Sequence, residues 1–323
     1  KDEIVTEASI LEMASSIFSP KRRLKWHYRS RNSGLIAFSN RYIYDNDLVV
    51  FPAANEDNPE MGVSYKKVDG LYSTGVNPEE AKAMVDAIIE FMAKYSNKSL
   101  GVVVMNKKQA TLLTEEMDYA FEKNPVAMNY REKWIDDLEC FFIKNIENVQ
   151  GDERDVIFIG TVYGPEKIGS SVQQRFGPIN GAAGRRRLNV LFSRAKERIV
   201  TFSSMNASDI RAEEDTGNQG AHMLKQWLEY CATGRIHGGV ITNKDTDSEF
   251  EDHVIQQIRS IGCDAIPQVG VAGFSIDIGV KHPDWPHGFI MGVECDGATY
   301  HSSKSARDRD RLRQEVLEGL GWN

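Results

Sequence analysis

Apolar positions along this chain fall into two rhythms. Residues 4–17 have helical spacing, and residues 77–95 form an amphipathic stretch that opens with Asn77 as N-cap and Pro78 at the first helical position. A short apolar run, "LGVVVM" (100–105), predicts a buried strand, and "KKQATLLTEEMDYAF" (107–121) a helix. "CFFIKNI" (140–146) and "RDVIFIGTV" (154–162) read as strands, "RRLNVLFSRAK" (186–196) as a helix and "RIVTFSS" (198–204) as a strand. Strands alternating with helices predict an α/β unit with a parallel sheet and helices on both faces.

The rhythm changes after "GRIHGGVITNKDTDSE" (234–249), rich in Gly, Asp, Thr and Ser, which predicts a domain boundary. Ser248 and Glu251 have the spacing of a capping box. The helix that follows carries the apolar stripe Phe250, Val254, Ile258 and Ile261. Three strand-like runs come next, "DAIPQVGV", "FSIDIGV" and "GFIMGVECDG", then a charged helix over 303–320. This α-β-β-β-α order predicts a small α+β domain. The expected division is 1–235 and 240–323.

Composition changes this picture little. Of 323 residues, 41% are hydrophobic and 27% charged, the balance of an ordinary globular protein. No apolar run approaches the ~20 residues of a membrane helix, and no signal peptide opens the chain. It begins with Lys1, from which a segment of a longer protein is expected. A net charge of −8 excludes a uniformly basic surface, yet three basic clusters stand at 21–31, 184–198 and 303–313, enough for a local nucleic-acid face. The four cysteines, Cys140, Cys231, Cys263 and Cys295, are scattered without a CxxC pair, which predicts reduced thiols in a cytoplasmic protein.

The C-terminal strands carry carboxylates where a core is expected. Glu294 and Asp296 are two apart and share a strand face. If the hairpin is symmetric about the loop 281–288, Asp277 faces Gly292 and is a diagonal neighbour of Glu294, roughly 7–8 Å away at Cα. Clustered carboxylates are costly unless a cation compensates, and hard oxygen ligands suit Mg²⁺. A metal held there can activate water for phosphodiester displacement. The same pattern also suits an edge strand with solvated acids.

Residues 248–322, with "SEFEDHVIQQIRSIG", "FSIDIGVKHP" and "GFIMGVECDGATYHSSKSARDRDRLRQEVLEGLGW", resemble the PD-(D/E)xK nuclease superfamily, in particular the branch similar to very-short-patch repair endonucleases that is fused to certain helicases. The resemblance implies Asp277 and Glu294 as metal ligands, the carbonyl of Cys295 as a third, and Glu251 as an acid beside the metal. The motif departs at its third position, which is Asp296 rather than Lys. His301, Lys304 and Lys281 are the candidates to take that role, His301 as general acid/base or water-orienting group. The family's fold continues into a further strand beyond "LGWN".

In the first part of the chain, four segments in order resemble superfamily 1 helicases over residues 20–205, most of all the branch similar to nonsense-decay RNA helicases. "WHYRSRNSGLIAFSNRYIYDNDLVVFP" (26–52) resembles motif IV, "GVVVMNKKQATLL" the strand and Gln-bearing helix after it, "ENVQGDERDVIFIGTVYG" (147–164) motif V and "GRRRLNVLFSRAKERIVTFSS" (184–204) motif VI. The resemblance implies Arg29 and Arg194 as arginine fingers toward the γ-phosphate of ATP, where bidentate permanent charge is useful. Glu153 would contact the ribose, and Gln150 and Gly151 form the coupling turn. Arg187 is expected on the same helix as Arg194, seven residues apart and on one face, and so also at the ATP. No GxxxxGK[ST] occurs in the chain. The chain is thus expected to be a second RecA-like domain without its P-loop half, unable to turn over ATP alone, followed by a restriction-endonuclease-like domain. Its expected partners are nucleic acid, DNA above RNA, and the missing first RecA-like domain. The expected cofactors are Mg²⁺ or Mn²⁺, and ATP in the longer protein. The alternative is a nuclease fold that clamps nucleic acid without cutting it.

Overall fold

Residues 10–180, 183–213, 217–235, 248–270, 274–295 and 304–323 are described by the computed structural model. The chain opens with α1 (Ile10–Ile17), β1 (Trp26–His27), α2 (Gly34–Tyr42) and β2 (Val49–Val50). The main sheet is then built by β3 (Gly62–Lys67), α3 (Pro78–Lys94), β4 (Leu100–Val104), α4 (Lys107–Lys123), α5 (Pro125–Trp134), β5 (Phe142–Asn145), β6 (Arg154–Gly160), α6 (Gly184–Phe192), β7 (Ala195–Ser203) and α7 (Gln219–Thr233). Its five strands are all parallel, in the order β3-β7-β6-β4-β5. All five residues of β4 are buried, as a central parallel strand covered on both faces must be. Helices α3, α4 and α5 pack together against β4–β7, while α2, α6 and α7 form a second group around β3 and β7. In that second group Phe192 stacks on Trp227 at 3.7 Å and Trp227 donates to Thr201 Oγ1 at 3.1 Å.

The start of α3 locks the carboxyl edge of this sheet. Asn77 Oδ1 accepts from the Glu80 N–H at 3.0 Å, while its Nδ2 donates to the Val162 carbonyl at 3.1 Å and Ser204 Oγ at 2.9 Å. Gln109 of α4 exchanges two hydrogen bonds with the Asn77 backbone, at 2.8 and 2.9 Å. Val162 has φ +70, a left-handed backbone that a β-branched residue adopts only under constraint. The constraint is Glu80, wholly buried, whose Oε1 accepts the Val162 N–H at 2.7 Å. Its Oε2 has no hydrogen-bond partner. Burial pushes the Glu80 carboxyl up to about 8.

Two sequence expectations change in this first part. The helix expected over 186–196 ends at Phe192, and β7 begins at Ala195. The reason is Arg194, whose Nε turns back onto the Val190 carbonyl at 2.8 Å and closes the helix end. Arg187 and Arg194 therefore do not share a helix. Of the helix expected over 4–17, residues 10–17 are helical and the rest lie outside the described residues.

The C-terminal part comprises α8 (Glu249–Ser260), β8 (Asp264–Val269), β9 (Ile276–Lys281), β10 (Met291–Val293) and α9 (Lys304–Gly319), with an antiparallel sheet in the order β10-β9-β8. Ser248 caps α8 by accepting the Glu251 N–H at 3.2 Å. The buried face of α8 is Glu251, Ile255 and Ile258. Phe250 and Ile261, expected in that face, are 61% and 77% exposed. Glu251 turns inward because Ser248 Oγ and Gln268 Nε2 donate to its two oxygens, at 3.2 and 3.3 Å.

A short strap from the first part completes the C-terminal core. Phe51, Ala53 and Ala54 are buried in one cluster with Ile276, Phe289, Leu317, Leu320 and Trp322. The backbone follows: Phe289 N–H donates to the Ala54 carbonyl at 2.7 Å, Ala54 N–H to Leu320 at 3.2 Å and Trp322 Nε1 to Pro52 at 2.9 Å. Lys281 pairs with Asp57 at 2.6 Å. These bonds also explain the hairpin register. Gly292 faces Gly279, two residues on from the expected Asp277, and the last pair is Val293 with Ile278. Phe289 is drawn to Ala54, so the connection is not symmetric. The ladder stops one step short of Glu294 and Asp277. Among the described residues, no helix is long and apolar enough to cross a membrane.

Two outcomes are expected. The folded Glu80 carboxyl holds its proton up to about pH 8 against 4.5 when unfolded, so its contribution to stability is complete below 4.5 and is lost as pH rises through 8. Urea midpoints at pH 6 and 9 should therefore fall in the native protein and stay level in Glu80→Gln. Phe51→Ala should lower stability by about 3–5 kcal/mol and speed hydrogen exchange at the Phe289 amide, measured by exchange mass spectrometry.

Candidate functional sites

The amino edge of the parallel sheet gathers most of the residues expected around a nucleotide. Val149 and Asp152 close a turn through a backbone bond of 3.3 Å, with Gly151 at φ +91, where a side chain would be strained. Gln150 is exposed at its tip. Glu153 follows, immediately before β6. Arg29 reaches it at 2.8 Å and Lys196 at 3.8 Å. Arg194 joins from the other side: its Nη1 donates to the Asp152 carbonyl at 3.3 Å, and the Arg154 N–H donates to the Arg194 carbonyl at 3.1 Å. Burial, then the charge of Arg29 nearby, lowers Arg194 from the ordinary arginine range. Arg29 on the Glu153 carboxylate and Arg194 on the neighbouring Asp152 carbonyl thus bring two guanidinium groups to one turn, a charge arrangement suited to a polyphosphate. Arg187 stands apart, bonded to the Pro178 carbonyl at 2.9 Å and to Glu147 at 3.3 Å.

The segment holding Arg29 is itself fixed. His27 Nε2 lies 2.8 Å from Ser30 Oγ and accepts the Ser30 N–H at 3.3 Å. Burial, then Arg29, pushes this histidine down to about 4, so it is neutral at physiological pH. Arg31 pairs with Glu197 at 2.7 Å. Asn32 and Ser33 bind Glu56: Asn32 Nδ2 donates to its carbonyl at 3.2 Å, and Ser33 N–H to its carboxylate at 3.0 Å. Sequence reasoning found Arg29 but missed Lys196, Arg31 and Glu56, whose partners are far away in sequence and leave no local signal.

The opposite, carboxyl edge holds a groove of about 630 Å³ that no motif announced. Lys107, Lys108 and Arg175 line it together with Tyr72 and Tyr163, whose rings lie 5.4 Å apart. Asn106 and Tyr163 lie just past the ends of β4 and β6, and Tyr163 directly follows the strained Val162. In open parallel sheets ligands gather beyond the carboxyl ends of the strands.

In the C-terminal part, the Cys295 N–H donates to Asp277 Oδ2 at 2.7 Å. This bond, made to a side chain instead of a strand carbonyl, ends β10 at Val293. It brings Asp277 beside the Glu294–Cys295 step. Glu294 is exposed and accepts from Arg313 Nη2 at 2.7 Å. Glu251 is bonded to Gln268 and Ser248, and Gln268 in turn accepts from Ser275 Oγ at 2.8 Å. Asp296 and His301 lie outside the described residues, as does the side chain of Lys304. Lys281 is engaged by Asp57 and by the Phe289 ring at 4.8 Å, away from Asp277 as a stand-in for the motif lysine. Among the described residues no group of three or more His, Cys, Asp or Glu is placed to hold a metal. Two carboxylates, Asp277 and Glu294, brought near each other by the Cys295 bond, nevertheless suit Mg²⁺, which is commonly held by one or two carboxylates with water and phosphate oxygens completing its shell. None of Cys140, Cys231, Cys263 and Cys295 is joined in a disulfide.

Comparison with known proteins places this geometry. The profile of the AAA domain family AAA_12 matches residues 6–206, more than half of the chain. The chain belongs to this AAA domain family. A second profile, REase_MTES_1575, matches residues 250–323, so a helicase-like AAA domain is fused here to a restriction-endonuclease-like segment. The chain is 36% identical over 237 residues to an uncharacterized ATP-dependent helicase, MG140, of Mycoplasma genitalium, covering 71% of this chain and 20% of that protein. It is 30% identical over 314 residues to the MG140 homolog of Mycoplasma pneumoniae, covering 93% of this chain and 27% of that protein. The chain thus spans between a fifth and a third of the length of these curated relatives.

Proposed function

We propose that this AAA-family chain is the second RecA-like half of an ATP-dependent nucleic-acid helicase joined to a metal-dependent endonuclease. The units would be 1–235 and 240–323, with strap residues 49–57 shared between them. The remainder of the longer protein would supply the P-loop, so the chain alone should not turn over ATP. Arg29 and Arg194 would meet the terminal phosphate of ATP, and Glu153, Gln150 and Gly151 would line the ribose side. Arg187 would brace the motif. The carboxyl-edge groove would carry a nucleic-acid strand, with Lys107, Lys108 and Arg175 on phosphates and Tyr72 or Tyr163 under a base. DNA is the favoured substrate, and bacterial repair, restriction or defence in the cytoplasm the favoured setting, by family analogy alone.

The observation that carries the nuclease reading is the Cys295 N–H to Asp277 bond of 2.7 Å, which unites the two acidic strands. Asp277 and Glu294, with the Cys295 carbonyl, would hold Mg²⁺ or Mn²⁺, which when bound activates water and stabilises charge on a phosphodiester. Glu251 orders the neighbouring wall through Gln268, and Asp296 and His301 would handle protons or water. A second reading is a non-cutting nucleic-acid clamp, motivated by Asp296 standing where the nuclease motif carries Lys.

Labelled single- and double-stranded DNA incubated with Mn²⁺ separates these readings. Cutting lost in both Asp277→Ala and Glu294→Ala supports the nuclease; intact binding in chelator with no cutting supports the clamp. For the groove, Lys108→Ala and Arg175→Ala should each reduce the slope of log affinity against log salt by about 0.7 on single-stranded DNA. Slopes unchanged in both variants would place the strand elsewhere.

A further inference from the structure

Arg313 is a basic side chain bonded to a carboxylate of the candidate metal site. It projects from α9 between two elements of the small sheet. Its Nη2 donates to Glu294 Oε1 at 2.7 Å and to the Ser275 carbonyl at 3.2 Å, and its guanidinium lies 4.4 Å over the Phe274 ring. The Arg313 Nε is buried and has no hydrogen-bond partner. A buried guanidinium N–H left unbonded is destabilising, and nothing in the packing of α9 explains why it is tolerated. Arg313 and Glu294 together line a cavity of about 360 Å³, walled also by Gly292, Leu317 and Trp322.

Position and charge together set its role. The motif lysine is replaced by Asp296, and Lys281 is bonded to the strap. A nuclease centre built of carboxylates still needs a fixed cation to meet the phosphate. A guanidinium suits this better than an ammonium, because its fork binds two phosphate oxygens at once. The same guanidinium also opposes a second cation at Glu294, since like charges at this distance disfavour one another.

We infer that Arg313 is the phosphate-binding cation of the candidate nuclease site, held on Glu294 until a metal ion and the DNA backbone replace that contact. The inference rests on the nuclease reading and deepens it. It carries a signature that a merely structural arginine would not have: removing the charge should strengthen metal binding while weakening work on DNA.

The test uses the full chain as it exists. Mn²⁺ affinity is measured by titration calorimetry without DNA, and cleavage of labelled DNA is measured at saturating Mn²⁺, for the native protein, Arg313→Gln, Arg313→Lys and Asp277→Ala. Circular dichroism confirms that each variant is folded. Arg313→Gln should bind Mn²⁺ about tenfold more tightly and cleave at least about a hundredfold more slowly. Arg313→Lys should keep native Mn²⁺ affinity and recover part of the rate. Should Arg313→Gln not fold, the Arg313→Lys pair of readings decides: native metal affinity with a reduced rate supports the inference, and an unchanged rate overturns it. Metal affinity that is equal or lower in folded Arg313→Gln overturns it while leaving the nuclease reading intact, provided Asp277→Ala abolishes both signals. A native protein that neither binds Mn²⁺ nor cuts DNA overturns both.

Discussion

A single buried carboxyl holds the carboxyl edge of the main sheet in place. Glu80 accepts the N–H of Val162 and thereby keeps a β-branched residue in a left-handed backbone. Asn77 takes the carbonyl of the same residue, and Gln109 ties Asn77 to α4. A hydrophobic replacement for Glu80 would leave the Val162 N–H without an acceptor in the core. The strain bends the chain out of β6 so that Tyr163 enters the basic groove beside Tyr72. Local backbone strain of this kind persists only where surrounding bonds over-determine it, as three side chains do here.

β6 and β7 connect this edge to the other one. Each strand has an expected nucleotide residue just before its first position, Glu153 and Arg194, and ends near the groove. At about 3.3 Å per residue, β6 separates the two by roughly 20 Å. Both strands are buried and paired on both sides, so they move as rigid rods and not as flexible tethers. A change in charge at the Arg29–Glu153 pair therefore has a stiff route to the groove. A second route runs from Arg29 through Ser33 and Glu56 to Ala54 and the small sheet.

Much of this was legible in the sequence, for identifiable reasons. Strands β4 and β6 were found because a parallel strand covered on both faces is nearly continuously apolar. Helix α3 was found because Asn77 and Pro78 mark its start. Arg29 and Glu153 were each anticipated as nucleotide residues only through resemblance, and their pairing was not anticipated, since 124 positions (153 − 29) separate them without any periodic signal. The failures share one cause. The end of α6, the inward face of α8 and the hairpin register are each decided by a particular side-chain or backbone bond rather than by apolar pattern: Arg194 to Val190 and to the distant Asp152, Glu251 to Gln268, Phe289 to Ala54. Local pattern cannot weigh such bonds, and the groove at Lys107, Lys108 and Arg175 is invisible for the same reason.

The strap has a consequence for how the molecule is made. Trp322 bonds to Pro52 across 270 residues of chain. At a synthesis rate of about 5–20 residues per second, the strap at Pro52 waits roughly 14–54 s before Trp322 is synthesised. During that interval an aromatic side chain and its backbone stand open beside a short strand edge, the condition under which nascent chains associate wrongly. Loop closure over such a span is entropically slow compared with the local βα contacts of the main sheet. The small sheet is therefore expected to be the last part to become native, and any site built on it would stay unformed until the parallel-sheet fold that carries the strap is finished.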